Sequence, residues 1–137
     1  MKTPIILLAL LITTLLSSYK YNTHPIIGKT YEAEVGASCK IYAKGSCMIY
    51  EYDALTFKKD TVMVSNRQAA NCTDKEKEGR YKRSGEQSKS YKWTISNDTL
   101  TIENFNDYGK LVVKENQLIG ANHYKKELVF KEIELKE

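Results

Sequence analysis

The alternation of apolar and polar side chains is the feature that most constrains how this chain folds. Tyr31, Ala33 and Val35 are separated by polar residues, so one face of an extended segment is apolar and the other is wet. Similar period-two patterns recur along the chain, whereas helical periodicity is nearly absent. Pro4 and Pro25 both precede the first such segment, so no proline interrupts a sheet. The pattern predicts an all-β, antiparallel protein.

The second alternating segment changes parity along its length. Its apolar residues are first even-numbered and then odd-numbered, in the order Met48, Tyr50, Tyr52, Leu55 and Phe57. We expect a bulge or sharp bend at Asp53 and Ala54, because the core residues would otherwise swap faces.

Three tight hairpins follow from matching apolar residues across two-residue loops. The loops are Lys59-Asp60, Asn97-Asp98 and Glu115-Asn116. The opposed pairs are Phe57 with Val62, Leu55 with Val64, Ile95 with Leu100, Trp93 with Ile102, and Val113 with Leu118. The polar stretch 66–78 is predicted as a loop with one helical turn, and residues 84–86 as another turn. Counting segments gives about eight to ten short strands in up-and-down order, for which a small barrel is the leading architecture and a β-sandwich the second.

The three cysteines allow at most one intramolecular disulfide. Extending the Lys59-Asp60 hairpin outward brings Cys47 opposite Cys72, so we favour that bridge. The alternative joins Cys39 to Cys47 across the turn at Lys44 and Gly45.

The first eighteen residues are predicted to be a signal peptide. Lys2 precedes an apolar run over residues 5–16, and Ser17 and Ser18 offer a cleavage site. The run would span about 18 Å as a helix, too short for the roughly 30 Å hydrocarbon core. Tyr19 stands where a bacterial lipoprotein would carry its lipidated cysteine, so no stable membrane anchor is expected. Residues 19–137 then form one β domain that is exported to the periplasm or the extracellular space in soluble form.

Charge and residue patterns exclude several functional classes. The net charge of +4 comes from interspersed Lys, Arg, Asp and Glu, which is not the pattern of a nucleic-acid-binding protein. The cysteines have no metal-site spacing, so no metal or other cofactor is expected. His24 and His123 are far apart in sequence, and no carboxylate pair stands out. We therefore expect no catalytic residues and no enzymatic activity.

Several segments resemble small bacterial lipocalin-like (calycin-type) secreted domains. Residues 26–31 are similar to the opening strand of that family, which usually reads Gly-x-Trp-Tyr, although Thr30 replaces the tryptophan. Residues 55–60, 93–102 and 128–133 also resemble strands of that family. The resemblance implies an up-and-down barrel with a central cavity and no catalytic residues.

Aromatic side chains suggest where a ligand would bind. The residues expected to line the barrel interior are Tyr31, Tyr50, Tyr52, Tyr91 and Trp93. They would either surround a small apolar ligand or simply fill a small core. The alternative function is an envelope protein-binding module, an enzyme inhibitor or immunity protein, acting through loops at 66–78 and 83–90. A loose similarity to small β-barrel lysozyme inhibitors, in Ser84-Gly85 ahead of Tyr91, points the same way.

Overall fold

Eight strands and one short helix form in the residues that the structure describes. The structure is a computed structural model covering residues 24–108, 110–122 and 124–134, apart from the side chains of 83–86. The elements are β1 (Thr30–Tyr42), β2 (Gly45–Phe57), β3 (Thr61–Cys72), α1 (Lys75–Tyr81), β4 (Arg83–Ser96), β5 (Thr99–Ile102), β6 (Leu111–Lys114), β7 (Gln117–Ala121) and β8 (Glu127–Ile133). The predicted signal peptide and His123 lie outside the described residues. Within the described ranges, no helix has the length and apolar character needed to cross a membrane.

The eight strands close into a barrel. Each pairs antiparallel with the next along the chain, and residues 30–32 of β1 pair with the end of β8. The predicted up-and-down barrel is confirmed, and the β-sandwich alternative does not form. The expectation of short strands is wrong for the first half of the sheet, because β1–β4 have 12 to 14 residues.

All three predicted hairpins are confirmed in register. The predicted apolar pairs Phe57 with Val62, Ile95 with Leu100, and Val113 with Leu118 all form. Asn97 and Glu115 both have a φ of 53°, in the left-handed region that tight hairpin loops require. Matching apolar residues across a loop therefore located these turns.

The predicted bulge in β2 is wrong, and this changes which side chains face inward. The β2–β3 register runs unbroken from Cys47 to Phe57, and the irregularity lies instead in β1, between Glu34 and Gly36. Inward-facing β2 residues are therefore odd-numbered throughout: Cys47, Ile49, Asp53, Leu55 and Phe57 are all buried. Tyr50 and Tyr52, expected to face the interior, lie on the opposite face of the strand.

The two polar segments expected to be loops are mainly regular structure, and the helical turn predicted within residues 66–78 is confirmed as the start of α1. β3 continues to Cys72, and α1 follows, with the Asp74 carboxylate accepting a hydrogen bond from the Glu76 N–H at 3.0 Å. β4 begins at Arg83, so residues 84–86 are not a turn; the strand is irregular there, opposite Asn66. The loops on which the protein-binding alternative relied are therefore strands and a helix. Apolar alternation cannot reveal a strand whose inward side chains are polar.

A disulfide and the helix stabilise the part of the sheet that extends beyond the barrel. Cys47 and Cys72, directly opposite each other on β2 and β3, form the predicted bridge, and Cys39 is a free, exposed thiol. The Glu78 side chain of α1 accepts hydrogen bonds from Lys75, Lys82 and the Cys72 N–H. These contacts lower the pKa of Glu78 to about 2 and fasten the helix to β3.

One end of the barrel is filled with aromatic side chains. Phe57 contacts Tyr31 and Trp93 edge-on, with ring centroids 5.9 and 5.4 Å apart. The turn before β1 covers this end, because Ile26 is buried and the Gly28 N–H donates to the Phe57 carbonyl at 2.9 Å. This half of the barrel is therefore a packed core.

Candidate functional site

Away from the filled end, the barrel opens into two adjoining, half-open cavities that we call the mouth. The larger, of about 290 Å³, is lined by Val35, Glu51, Tyr52, Asp53, Asn66, Arg67, Gln68 and Gln87. The smaller, of about 140 Å³, is lined by Asp53, Val64, Asn66, Gln87, Lys89, Tyr91, Phe105 and Asp107. Three residues, Asp53, Asn66 and Gln87, line both. The space exceeds that of a few waters, each of which takes roughly 30 Å³.

Asp53 lies between the packed core and the mouth. It is four residues along β2 from Phe57, or about 13 Å at the usual strand rise. Its side chain is only 8 % exposed. Across the β2–β3 pair, the Asn66 side-chain amide donates a hydrogen bond to Asp53 Oδ1. Among the described residues, no hydrogen-bond donor reaches Oδ2 of this largely buried carboxyl.

Burial raises the pKa of Asp53 to about 6. The hydrogen bond from Asn66 opposes this shift, while the negative charges of Asp107 and Glu51 add to it. Near neutral pH the carboxylate is therefore mostly ionised, at a cost in free energy. A buried carboxyl that lines a cavity and has a raised pKa is a functional-site candidate.

A chain of aromatic rings connects the mouth to the core. Tyr91 and Phe105, which line the smaller cavity, have centroids 5.1 Å apart. Tyr108 follows at 5.0 Å from Phe105, and Phe130 at 5.0 Å from Tyr108. The Tyr108 hydroxyl is buried and has no hydrogen-bond partner among the described atoms. The mouth thus has an apolar wall on one side and a carboxyl with amides on the other.

An ion pair on the outer face of the sheet stabilises the wall of the larger cavity. Arg67 of β3 donates to both carboxylate oxygens of Glu32 on β1, at 2.9 and 2.5 Å. Its guanidinium also lies 4.3 Å from the centroid of the Tyr52 ring on the strand between them. This arrangement links three strands. The guanidinium of Arg67 is bound to Glu32 and is not bound to Asp53.

The five aromatic residues predicted to line the interior separate into three groups. Tyr31 and Trp93 are buried in the packed end, where they contact Phe57. Tyr91 lines the smaller cavity, and Tyr52 borders the larger one from the outer face of β2. Tyr50 lines neither. The structure therefore brings Tyr52 and Tyr91 to the mouth, and not the set as a whole.

The alternation pattern does not reveal the polar residues of the mouth. It predicts a bend at Asp53 and loops at Asn66 and Gln87, because inward-facing polar side chains look like solvent-facing ones. One signal was present in β2: Glu51 and Asp53 are the polar members of an otherwise apolar odd-numbered series. An interruption of this kind can mark a site as well as a bulge.

The donor set of the mouth suits a small organic molecule. Within the described parts of the chain, no three His, Cys, Asp or Glu side chains come together as a metal site would require. The mouth supplies amide, carboxylate and ammonium groups beside three aromatic rings, which suffice to orient a ligand by hydrogen bonds and apolar contact.

Comparisons of the chain with protein-family models, with curated proteins and with solved structures found no match. The lipocalin resemblance stays a prediction. The described residues form a closed eight-stranded antiparallel barrel that is packed at one end and has polar-aromatic cavities at the other.

Proposed function

We propose that this protein is an exported, non-enzymatic binding protein that holds a small molecule in the mouth of its barrel. The observation that carries the proposal is the pair of adjoining cavities around Asp53, a buried carboxyl whose Oδ2 receives no hydrogen bond from the described residues. Ligand sites commonly combine apolar walls with a few convergent polar groups, and the mouth has both.

The mouth favours a ligand of mixed character over a purely apolar one. Tyr91, Phe105 and Val64 would contact its apolar part. Asp53 and Asn66 would accept from or donate to its polar groups. A wholly apolar molecule would leave these polar side chains desolvated without partners, which costs free energy. The ligand is therefore small and carries at least one polar group.

The disulfide supports the proposed export. Bridges such as Cys47–Cys72 form and persist in oxidising compartments and are rare in the cytosol of mesophiles. This agrees with the expected signal peptide at residues 1–18 and with a periplasmic or extracellular location.

A plugged variant tests the proposed function. In Gln87→Trp, the indole would occupy space in both cavities, because Gln87 is one of the three residues that line both. Ser88, the next residue along β4, lines neither cavity, so Ser88→Trp is the matched control. A library of small polar-aromatic fragments would be screened by NMR at millimolar concentration. We expect fragments that shift the amide signals of Asp53, Asn66 and Tyr91, and that bind Ser88→Trp but not Gln87→Trp.

Two outcomes would contradict the proposal. One is that no fragment shifts the signals of the mouth in the wild-type protein. The other is that the fragments bind Gln87→Trp as well as they bind the wild type.

A further inference from the structure

We infer that the ligand of the mouth carries an ammonium group, bound by the free Oδ2 of Asp53 and packed against the Tyr91–Phe105 wall. This inference rests on the proposed function and names the chemical class of its ligand.

The first argument is the incomplete hydrogen bonding of a buried carboxylate. Asp53 is 8 % exposed and receives one hydrogen bond, from Asn66 to Oδ1, among the described residues. A carboxylate can accept about four hydrogen bonds. Burial without such partners is costly, and a cationic donor is the partner that offsets the cost best. An ammonium group supplies both the charge and the donors.

The second argument is the charge around Asp53. From its own strand Glu51 faces the mouth, and Asp107 faces it from the segment between β5 and β6. Both raise the pKa of Asp53, so both repel a further negative charge there. From β3 the guanidinium of Arg67 is engaged by Glu32 on the outer face. From β4 Lys89 lines the smaller cavity and is exposed to solvent, as Glu51 and Asp107 also are. The carboxylates therefore outnumber the available cations.

The third argument is the aromatic wall. Tyr91 and Phe105 lie in the same small cavity as Asp53. Aromatic faces attract cations by their quadrupole, and they also provide apolar surface for a carbon skeleton. A carboxylate facing aromatic rings in a cavity of about 140 Å³ suits a compact amine with an apolar group.

The pH dependence of binding follows from the same site. The pKa of Asp53 is raised to about 6, so its carboxyl is mostly neutral at pH 5 and ionised at pH 7.5. An aliphatic amine stays protonated at both values. Binding that needs the carboxylate should therefore weaken by about ten-fold at pH 5.

Three probes that share a phenethyl group and carry head groups of different charge test the inference. Phenethylamine is the cation, 2-phenylethanol the neutral analogue and 3-phenylpropionate the anion. Each would be titrated by NMR into the wild-type protein at pH 7.5 and pH 5, and into Asp53→Asn. Glu34→Gln removes the same charge from an exposed position that lines neither cavity, and serves as the control.

We expect phenethylamine to bind at least ten-fold more tightly than the other two probes at pH 7.5. That preference should disappear in Asp53→Asn and at pH 5, but persist in Glu34→Gln. Equal or tighter binding of the alcohol or the carboxylate, with loss of binding in Gln87→Trp, would overturn the ammonium inference and leave the proposed function standing. No binding of any probe to the wild-type mouth would count against both. The pH comparison uses unaltered protein, so it tests the role of the carboxylate even if the Asp53 variant folds poorly.

Discussion

Replacing Asp53 with asparagine should stabilise this protein, and the gain should depend on pH. Asparagine has the shape of the neutral acid and can still accept a hydrogen bond from Asn66. The pKa of Asp53 is raised from 3.8 to about 6 in the folded protein, mainly by burial. The folded state therefore holds the proton more tightly than the unfolded state does, and ionisation of Asp53 opposes folding.

The magnitude follows from linkage. Stability falls as pH rises through the window between 3.8 and about 6, and the deficit is complete above it. A shift of about two units at roughly 1.36 kcal/mol per unit corresponds to about 3 kcal/mol above pH 7. The deficit shrinks to well below 1 kcal/mol at pH 4, where the carboxyl of the unfolded state is already roughly 40 % protonated. Asp53→Asn should therefore gain up to about 3 kcal/mol at pH 7.5 and little at pH 4.

Urea unfolding provides the assay. The single tryptophan of the chain, Trp93, is buried against Phe57 and reports loss of the core by its fluorescence. Wild type, Asp53→Asn and Glu34→Gln would be unfolded at pH 4, 5 and 7.5 with the disulfide intact. Their free energies of unfolding would be compared where their m-values agree. The control should show no comparable pH-dependent gain.

Two results would refute this reasoning. An Asp53→Asn variant no more stable than the wild type at pH 7.5 would show that the carboxylate is already compensated in the free protein. A gain that is the same at pH 4 and pH 7.5 would show that its origin is not ionisation. If the variant is stabilised and also loses ligand binding, Asp53 is a residue kept for function at a cost in stability.

Three further predictions concern other parts of the molecule. Tyr108→Phe removes a buried hydroxyl that has no partner among the described atoms. In urea unfolding, the variant should be as stable as the wild type or more stable by about 1 kcal/mol. A loss above about 1 kcal/mol would reveal a hydrogen bond to that hydroxyl. Replacing Cys47 and Cys72 together by alanine removes a disulfide that joins residues 25 apart in sequence. The free energy of unfolding should fall by about 3.5 kcal/mol, because the unfolded chain gains conformational entropy. A fall of less than about 1 kcal/mol would argue against this account. Glu78→Gln should lower the hydrogen-exchange protection of Lys75–Tyr81 without changing the protection of the barrel strands. In the wild type, the protection of this helix should fall as the pH drops from 4.5 toward 2. Uniform changes in protection across the chain would contradict a local role for Glu78.

The sequence determined the strands and turns whose inward faces are apolar. Three hairpins and the Cys47–Cys72 bridge followed from one rule, that residues opposed across a tight loop share a face. The rule is local, and burial of apolar side chains enforces it strongly. The same local information predicts the number of strands and their consecutive order. The barrel was expected from that number and order.

Only the tertiary structure decided which polar residues point inward. In β2, Asp53 follows the same alternation as Leu55 and Phe57, but its polarity suggested a bend. In β3 and β4 the inward positions at the mouth are Asn66 and Gln87, and their polarity suggested loops. The register shifts of the sheet lie in β1 and in the β3–β4 pairing, and the apolar pattern gave no sign of either. The alternation pattern shows which side chains are apolar. At the mouth of a barrel some inward-facing side chains are polar, so the pattern no longer shows which side chains face inward.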